Sequence, residues 1–267
     1  MALLHSFEKS GNILFKYRGQ IPIIIFLLAL PIIANTNTIL YYKLAMGQLD
    51  GIRITILILS IIISLLGFFI RAYTIGTTPR GTSGRNTEKQ VASQLNTKGI
   101  YSIVRHPLYL GNYLMWAGLL IFTMNIYVFI IISLVYWLYY ERIMFAEERF
   151  LEKQFGQVYL DWSMKVPAFI PAFNKFQKSD IPFSLKTVLR REYTGIFAMT
   201  FAYTVVDYFL TLRIYSLYLP FEIARSYSWH FWIRPSLYIL IIMFIVMMIL
   251  RTLKHHSKLL EREENRD

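Results

Sequence analysis

The chain has 267 residues, 55% of them hydrophobic and only 16% charged, where soluble domains average about a quarter charged. Its 28 Lys and Arg against 16 Asp and Glu give a net charge of +12, a balance that points to nucleic acid or an anionic membrane surface; long stretches without any charge argue against nucleic acid. No cysteine is present, which excludes disulfides, thiolate catalysis and Cys-ligated zinc or iron–sulfur centres. Twenty Phe and nineteen Tyr suit a membrane protein with aromatic interfaces.

In chain order, the first 19 residues are too mixed for a signal peptide, with Glu8, Lys9 and Lys16 among them. Leu3, Leu4, Phe7 and Leu14 can share one helical face, so this segment reads as a short interfacial helix or a disordered tail. A spanning helix needs about 20 mostly apolar residues, and six segments qualify as candidates. The first runs from about Gln20 to Tyr42 and is interrupted by Asn35 to Thr38. The second runs from about Ile52 to Ile75, the third from Leu108 to Met124 and the fourth from Ile126 to Phe145. Only Asn125 separates the third from the fourth, which predicts a tight antiparallel hairpin. The fifth runs from about Thr194 to Leu217 and the sixth from Phe231 to Leu250. The tail from Arg251 to Asp267 reads as a solvated helical extension, with His255 and His256 on its surface. The expected architecture is all-α: a polytopic transmembrane bundle of about six spans with a cytosolic pocket. Its parts are residues 1–51 (interfacial segment and first span), 52–178 (core) and 179–267 (two further spans and tail).

Loop charges orient the bundle. With six spans, every Lys and Arg except Lys43, Arg53, Arg213, Arg225 and Arg234 falls on one side. Cytoplasmic loops carry the basic excess, so both termini are expected in the cytoplasm, at the inner membrane if the source is bacterial.

The chemistry is expected in two long loops on that side. One runs from Thr77 through Arg80, Arg85 and Tyr101 to Arg105-His106-Pro107-Leu108-Tyr109-Leu110-Gly111. The other runs from Glu147-Glu148 through Phe155-Gly156 and Tyr159 to Val166-Pro167. The hairpin brings them together. Pro107 suits the first position of a helix, which puts Arg105 and His106 at its start, where free backbone donors favour an anionic group. Glu147 and Glu148 sit late in the fourth helix, against the unfavourable end of its dipole. Two acids there call for a cationic partner, either an Arg from the other loop or a cationic ligand. No dinucleotide fingerprint, P-loop, G-x-S-x-G or H-E-x-x-H is present.

At these residues the chain resembles the isoprenylcysteine carboxyl methyltransferase family and the related phospholipid methyltransferases. The likeness rests on Tyr101, Arg105-His106-Pro107, Tyr109, Gly111, Glu147-Glu148, Phe155-Gly156, Tyr159 and Val166-Pro167, with Gly67 and Arg71 also fitting. It covers about residues 60 to 171. The resemblance implies S-adenosylmethionine as methyl donor, with no metal. It implies that Tyr101, His106, Pro107, Leu108, Tyr109 and Glu147 contact this cofactor, along with the stretch Ser93, Gln94, Leu95 and Asn96. His106 is then a hydrogen-bond donor, or alternatively a helix-capping residue. Arg105 and Glu148 are the candidate catalytic groups.

Two departures bear on the acceptor. Family members acting on prenylcysteine carry an Arg four residues before the first Glu; here that position is Ile143, with Arg142 beside it. One step turns a helical side chain by about 100°. The chain also continues past the Val-Pro segment with two more spans. The reading is an integral membrane methyltransferase acting on a lipid or lipid-linked acceptor, by preference an anionic carboxylate or phosphate gripped by Arg80, Arg85 and Arg142. The alternatives are a phospholipid N-methyltransferase and a sterol-reductase-like NADPH-dependent enzyme. Asp207 is expected near the middle of the fifth span, where an acid needs a partner or a function. Arg213 on the same helix faces another way.

Overall fold

The computed structural model describes residues 2–35, 43, 50–79, 90–218, 234–257 and 259–260. Eight helices are described: α1 (Ala2–Lys16), α2 (Ile21–Asn35), α3 (Asp50–Gly76), α4 (Pro107–Phe122), α5 (Ile126–Phe155), α6 (Gln157–Ser163), α7 (Leu185–Tyr218) and α8 (Pro235–His256). The bundle is all-α and polytopic. Among the described residues, four helices are long and apolar enough to cross a membrane: those within α3, α5, α7 and α8. A fifth crossing exists if α1 and α2, bent by 86° at their junction, count as one broken span. Among the described residues, four or five of the six expected spans thus meet that length and composition. The third candidate, α4, has only 16 residues and is about 24 Å long, short of the ~30 Å hydrocarbon core. The first candidate is described only as far as Asn35, and the rest of it lies outside the described residues.

The hairpin forms as expected. Met124 takes a positive φ of 53°. Asn125 then caps α5, its Oδ1 accepting from the backbone N–H groups of Tyr127 (3.0 Å) and Val128 (3.1 Å), which satisfies two otherwise orphaned donors. Helix α4 also packs antiparallel on α3 through small residues. A Cβ on Gly111 would come within 2.5 Å of Arg71 Cγ and 2.7 Å of the Gly67 carbonyl oxygen. Close backbone approach of this kind drives helix association in lipid, where hydrophobic burial offers little.

An apolar core of Ile25, Ala29 and Ile33 from α2, Leu119 and Leu120 from α4, Val128 and Ile132 from α5, and Val206 and Leu210 from α7 holds the centre. Helix α7 is fastened to α3 by the Tyr203 hydroxyl, which donates to the Ser60 carbonyl at 3.0 Å. Helix α8 buries none of its residues and presents Ile239, Ile242, Ile245 and Ile249 outward, as a lipid-facing helix does. The interfacial helix expected at the start is α1. It packs on α5 rather than standing alone: Phe7 meets Phe145 edge-on at 5.8 Å, and Gly11 lies against the Arg142 carbonyl. At the far end, His255 and His256 are exposed.

Asp207 has its partner on the neighbouring helix. Arg234, the residue before α8, donates from Nε and Nη2 to the two carboxylate oxygens, both at 2.6 Å, and Ser236 adds a bond at 2.6 Å. The acid therefore lies level with the first turn of α8. Helix α7 starts nine residues earlier than the fifth span was expected to, at Leu185.

Candidate functional site

The two motif loops converge because their backbones pair. Arg105 N donates to Pro167 O (2.9 Å), His106 N to Ala168 O (3.2 Å) and Ala172 N to Ile103 O (2.9 Å). Gly99, at φ 64°, donates to Gln177 O (2.9 Å) and clamps the next stretch. The Val-Pro segment thus acts as a strap that fixes the start of α4. Gly156, at φ 55°, ends α5 and starts α6; a left-handed backbone there favours glycine. The turn folds Tyr159 back beside Glu148, and burial together with that carboxylate pushes the Tyr159 hydroxyl well above its usual range.

His106 occupies the N-cap position of α4, with Pro107 at N1, but its ring makes no capping bond. Instead Nε2 sits 2.8 Å from Glu148 Oε1, and Nδ1 lies 3.8 Å from Glu147 Oε2. Glu148 also faces Arg105 Nε at 3.3 Å. Glu147 accepts from the Tyr109 hydroxyl at 2.6 Å. The adjacent acids therefore divide: Glu148 takes the Arg from the other loop, and Glu147 keeps a neutral donor and the edge of an imidazole.

These groups border a cavity of about 700 Å³. Of the expected cofactor contacts, Gln94, Leu95, Asn96 and Tyr101 line it, as do His106, Pro107, Leu108, Tyr109 and Glu147. Ser93 does not line it, and Glu148 stands behind His106. Arg105 lines the wall. Arg142 does not: its guanidinium lies 3.3 Å from the centre of the Phe7 ring, because its position on α5 turns it toward α1. Ile143 is fully buried in a tyrosine-rich cluster. Arg80 and Arg85 lie outside the described residues. Burial pushes the Tyr101 hydroxyl up, Glu147 adds to this, and Arg191 opposes it, so Tyr101 remains a neutral phenol at physiological pH. No cluster of three His, Cys, Asp or Glu able to hold a metal ion occurs among the described residues.

Residues 55–158 match the phospholipid methyltransferase family model. The protein-S-isoprenylcysteine O-methyltransferase of Schizosaccharomyces pombe is 32% identical over 114 residues, covering 40% of this chain and 48% of that protein. Protein-S-isoprenylcysteine O-methyltransferase B of Arabidopsis thaliana is 33% identical over 112 residues, covering 41% and 56%. The nickel-cobalt-cadmium resistance protein NccN of Alcaligenes xylosoxydans xylosoxydans is 33% identical over 86 residues, covering 32% and 40%. The chain spans about half the length of the curated relatives it matches. No solved structure matches it.

Part of the cavity wall lies outside this family segment. Phe15, Arg18 and Pro22 come from the bend between α1 and α2, and Arg191, Glu192 and Gly195 come from the start of α7. Within the segment, Arg71 and Asn112 also line the cavity. Sequence reading placed Arg71 among the matching residues but gave it no role, and it passed over Glu192. The available signal was an acid within the first turns of a long apolar helix.

Proposed function

We propose that this protein is an integral membrane methyltransferase that uses S-adenosylmethionine and acts on a lipid or lipid-linked acceptor, by preference an anionic carboxylate or phosphate. One observation carries the reading. Residues scattered from Gln94 to Glu147, and carried over from the family likeness, line a single cavity, and of the two adjacent acids the one that lines it is not the one paired with Arg105. The family match and the relatives' names support methyl transfer.

The cavity fits this cofactor chemically. Pockets for small molecules run to about 300–1,000 Å³. A donor with a sulfonium and an α-ammonium calls for a carboxylate in a partly dry site, which Glu147 provides at 26% side-chain exposure. When bound, S-adenosylmethionine supplies an electrophilic methyl group. The protein's own residues hold and shield. Glu147 faces the positive charge, with its orientation set by Tyr109. Glu148 acts through His106, holding the imidazole at 2.8 Å, so it is a positioning residue rather than a base in contact with substrate. Tyr101, Gln94 and Asn96 supply neutral polar contacts, while Trp116 and Phe150 form apolar wall that excludes water. An anionic acceptor needs no base, so positioning is the main demand on the site. The Arg142 grip is withdrawn, and Ile143 leaves that turn of α5 without a cavity-facing arginine. The motif loops, the strap and both termini lie on the cytoplasmic side in this reading.

The family model's description, phospholipid methyltransferase, supports a second reading, in which a phospholipid headgroup is the acceptor and nitrogen the methylated atom. Transfer of labelled methyl into total lipid extract, followed by mass spectrometry, decides between them. An O-methyl ester supports the first reading and an N-methyl product rejects it. Calorimetric titration with S-adenosylmethionine, S-adenosylhomocysteine and NADPH tests the class. Binding of NADPH alone overturns the methyltransferase reading.

A further inference from the structure

We infer that the acceptor's anionic headgroup is held by Arg71, and that Glu192 from α7, outside the family segment, is the positioning residue that makes Arg71 fit for this. The inference rests on the methyltransferase reading above and names the acceptor end of the same cavity. Arg71 is a guanidinium held on the wall by three bonds. Its Nε donates to Glu192 Oε2 at 2.8 Å, its Nη2 to Glu192 Oε1 at 2.7 Å and its Nη1 to Asn112 Oδ1 at 2.6 Å. Arginine has five N–H groups. Three are occupied, and the remaining two, on Nη1 and Nη2, have no partner among the described residues.

The pair is buried, with side-chain exposures of 18% for Arg71 and 5% for Glu192. A buried ion pair is weak evidence for stability, and a hydrophobic pair of the same volume often serves as well. Its use is to lock the guanidinium in one plane, so that the two remaining donors present a fixed fork to an oxyanion. Asn112 extends the lock, since its Nδ2 donates to the Tyr140 hydroxyl at 3.5 Å and the Tyr140 ring packs 4.8 Å from Tyr109, which bonds Glu147. The fork and the proposed donor site thus share one rigid wall.

Charge and shape agree. Arg71 and Glu192 cancel, while Arg18, Arg105 and Arg191 border the same cavity with Glu147 as its other acid. An incoming anion therefore meets a positive surround. A Cβ on Gly195 would touch only Glu192 Oε2, at 3.7 Å, so space remains beside the pair where α7 enters its apolar section. Trp116 and Pro22 also line the cavity. An amphiphile with a phosphate or carboxylate head matches this arrangement.

The test uses full-length protein in detergent, saturated with S-adenosylhomocysteine and titrated calorimetrically with decyl phosphate, decanoate and, as neutral control, decanol. The expected result is binding of at least one anion in preference to decanol, the stronger one identifying the headgroup class. The double variant Arg71→Gln/Glu192→Gln removes both charges and leaves neither buried alone. Its anion affinity should fall roughly 10- to 100-fold, the loss of charge-assisted hydrogen bonds, with S-adenosylhomocysteine affinity unchanged. Arg71→Lys keeps the charge but loses the fork and should fall about tenfold; it decides the matter if the double variant does not fold. Asn112→Ala, which frees Nη1, should weaken anion binding and spare S-adenosylhomocysteine. Equal anion affinity in the wild type, the double variant and Arg71→Lys overturns the inference. So does a wild type that binds S-adenosylhomocysteine but neither anion. A wild type that binds no S-adenosylhomocysteine overturns the methyltransferase reading itself.

Discussion

Replacing Glu147 by Gln removes one negative charge from the cavity and almost nothing else. The amide is isosteric with the carboxylate and its oxygen can still accept from the Tyr109 hydroxyl, now 2.6 Å from Glu147 Oε1. Glu148, His106 and Arg105 keep their contacts. The charge lies in a site that is neither dry nor open, with Glu147 26% exposed and His106 5% exposed. At about 4 Å and an effective dielectric of about 20, two unit charges attract by about 4 kcal/mol. Much of that is offset by desolvation, and the net worth of a hydrogen bond to a charged group is about 1.5–3 kcal/mol. The expected loss of S-adenosylmethionine affinity is therefore roughly 10- to 100-fold. Glu147→Ala also orphans the Tyr109 hydroxyl and should abolish measurable binding. Calorimetry with both S-adenosylmethionine and S-adenosylhomocysteine locates the interaction, because the product has lost the sulfonium charge but keeps the ammonium. A larger loss for the donor than for the product places Glu147 beside the sulfur; equal losses place it beside the ammonium. Unchanged affinity for both in Glu147→Gln refutes the assignment of Glu147 to the cofactor.

Other perturbations separate packing from binding. Gly111→Ala forces a methyl toward Arg71 Cγ and the Gly67 carbonyl and should cost about 1–3 kcal/mol by overpacking, seen as a lower melting temperature in detergent; an unchanged melt contradicts the close approach of α3 and α4. Asp207→Asn removes the charge and one of the two hydrogen bonds to Arg234, whose side chain is 17% exposed, and should cost about 3 kcal/mol while sparing S-adenosylhomocysteine affinity, since the pair is far from the cavity residues in chain and helix level. Arg142→Ala should leave both anion and S-adenosylhomocysteine binding intact and lose about 1 kcal/mol of stability with its contact to Phe7; a large drop in anion affinity would restore Arg142 to the acceptor site. The absence of cysteine makes topology directly measurable: His5→Cys and His255→Cys should each react with an impermeant maleimide only after the cytoplasmic side is opened, and labelling of intact cells contradicts the orientation.

Composition and local pattern were enough for the class of fold. Hydropathy is a sum over neighbours in the chain, so the apolar runs that became α3, α5, α7 and α8 are visible without any knowledge of what they touch. The hairpin was visible for a similar reason, because Asn125 is a local cap between two such runs. The motif residues His106, Tyr109 and Glu147 could be grouped because the hairpin forces its two ends together, whereas Ser93 to Asn96 came only from the family resemblance. Tertiary structure decided what depends on side chains meeting across long separations in sequence. Which of two adjacent acids lines the cavity follows from the position of Arg105 and His106 against α5. Arg142 was lost to Phe7 because α1 covers that side of α5, and nothing local to Arg142 says so. Arg71 found Glu192, 121 residues away, and Asp207 found Arg234 at the start of another helix. Ion pairs in a bundle are set by helix register and rotation, which arise from packing such as the glycine contacts of α3 with α4. Sequence periodicity fixes the face of each helix, while only the packed bundle fixes which faces meet.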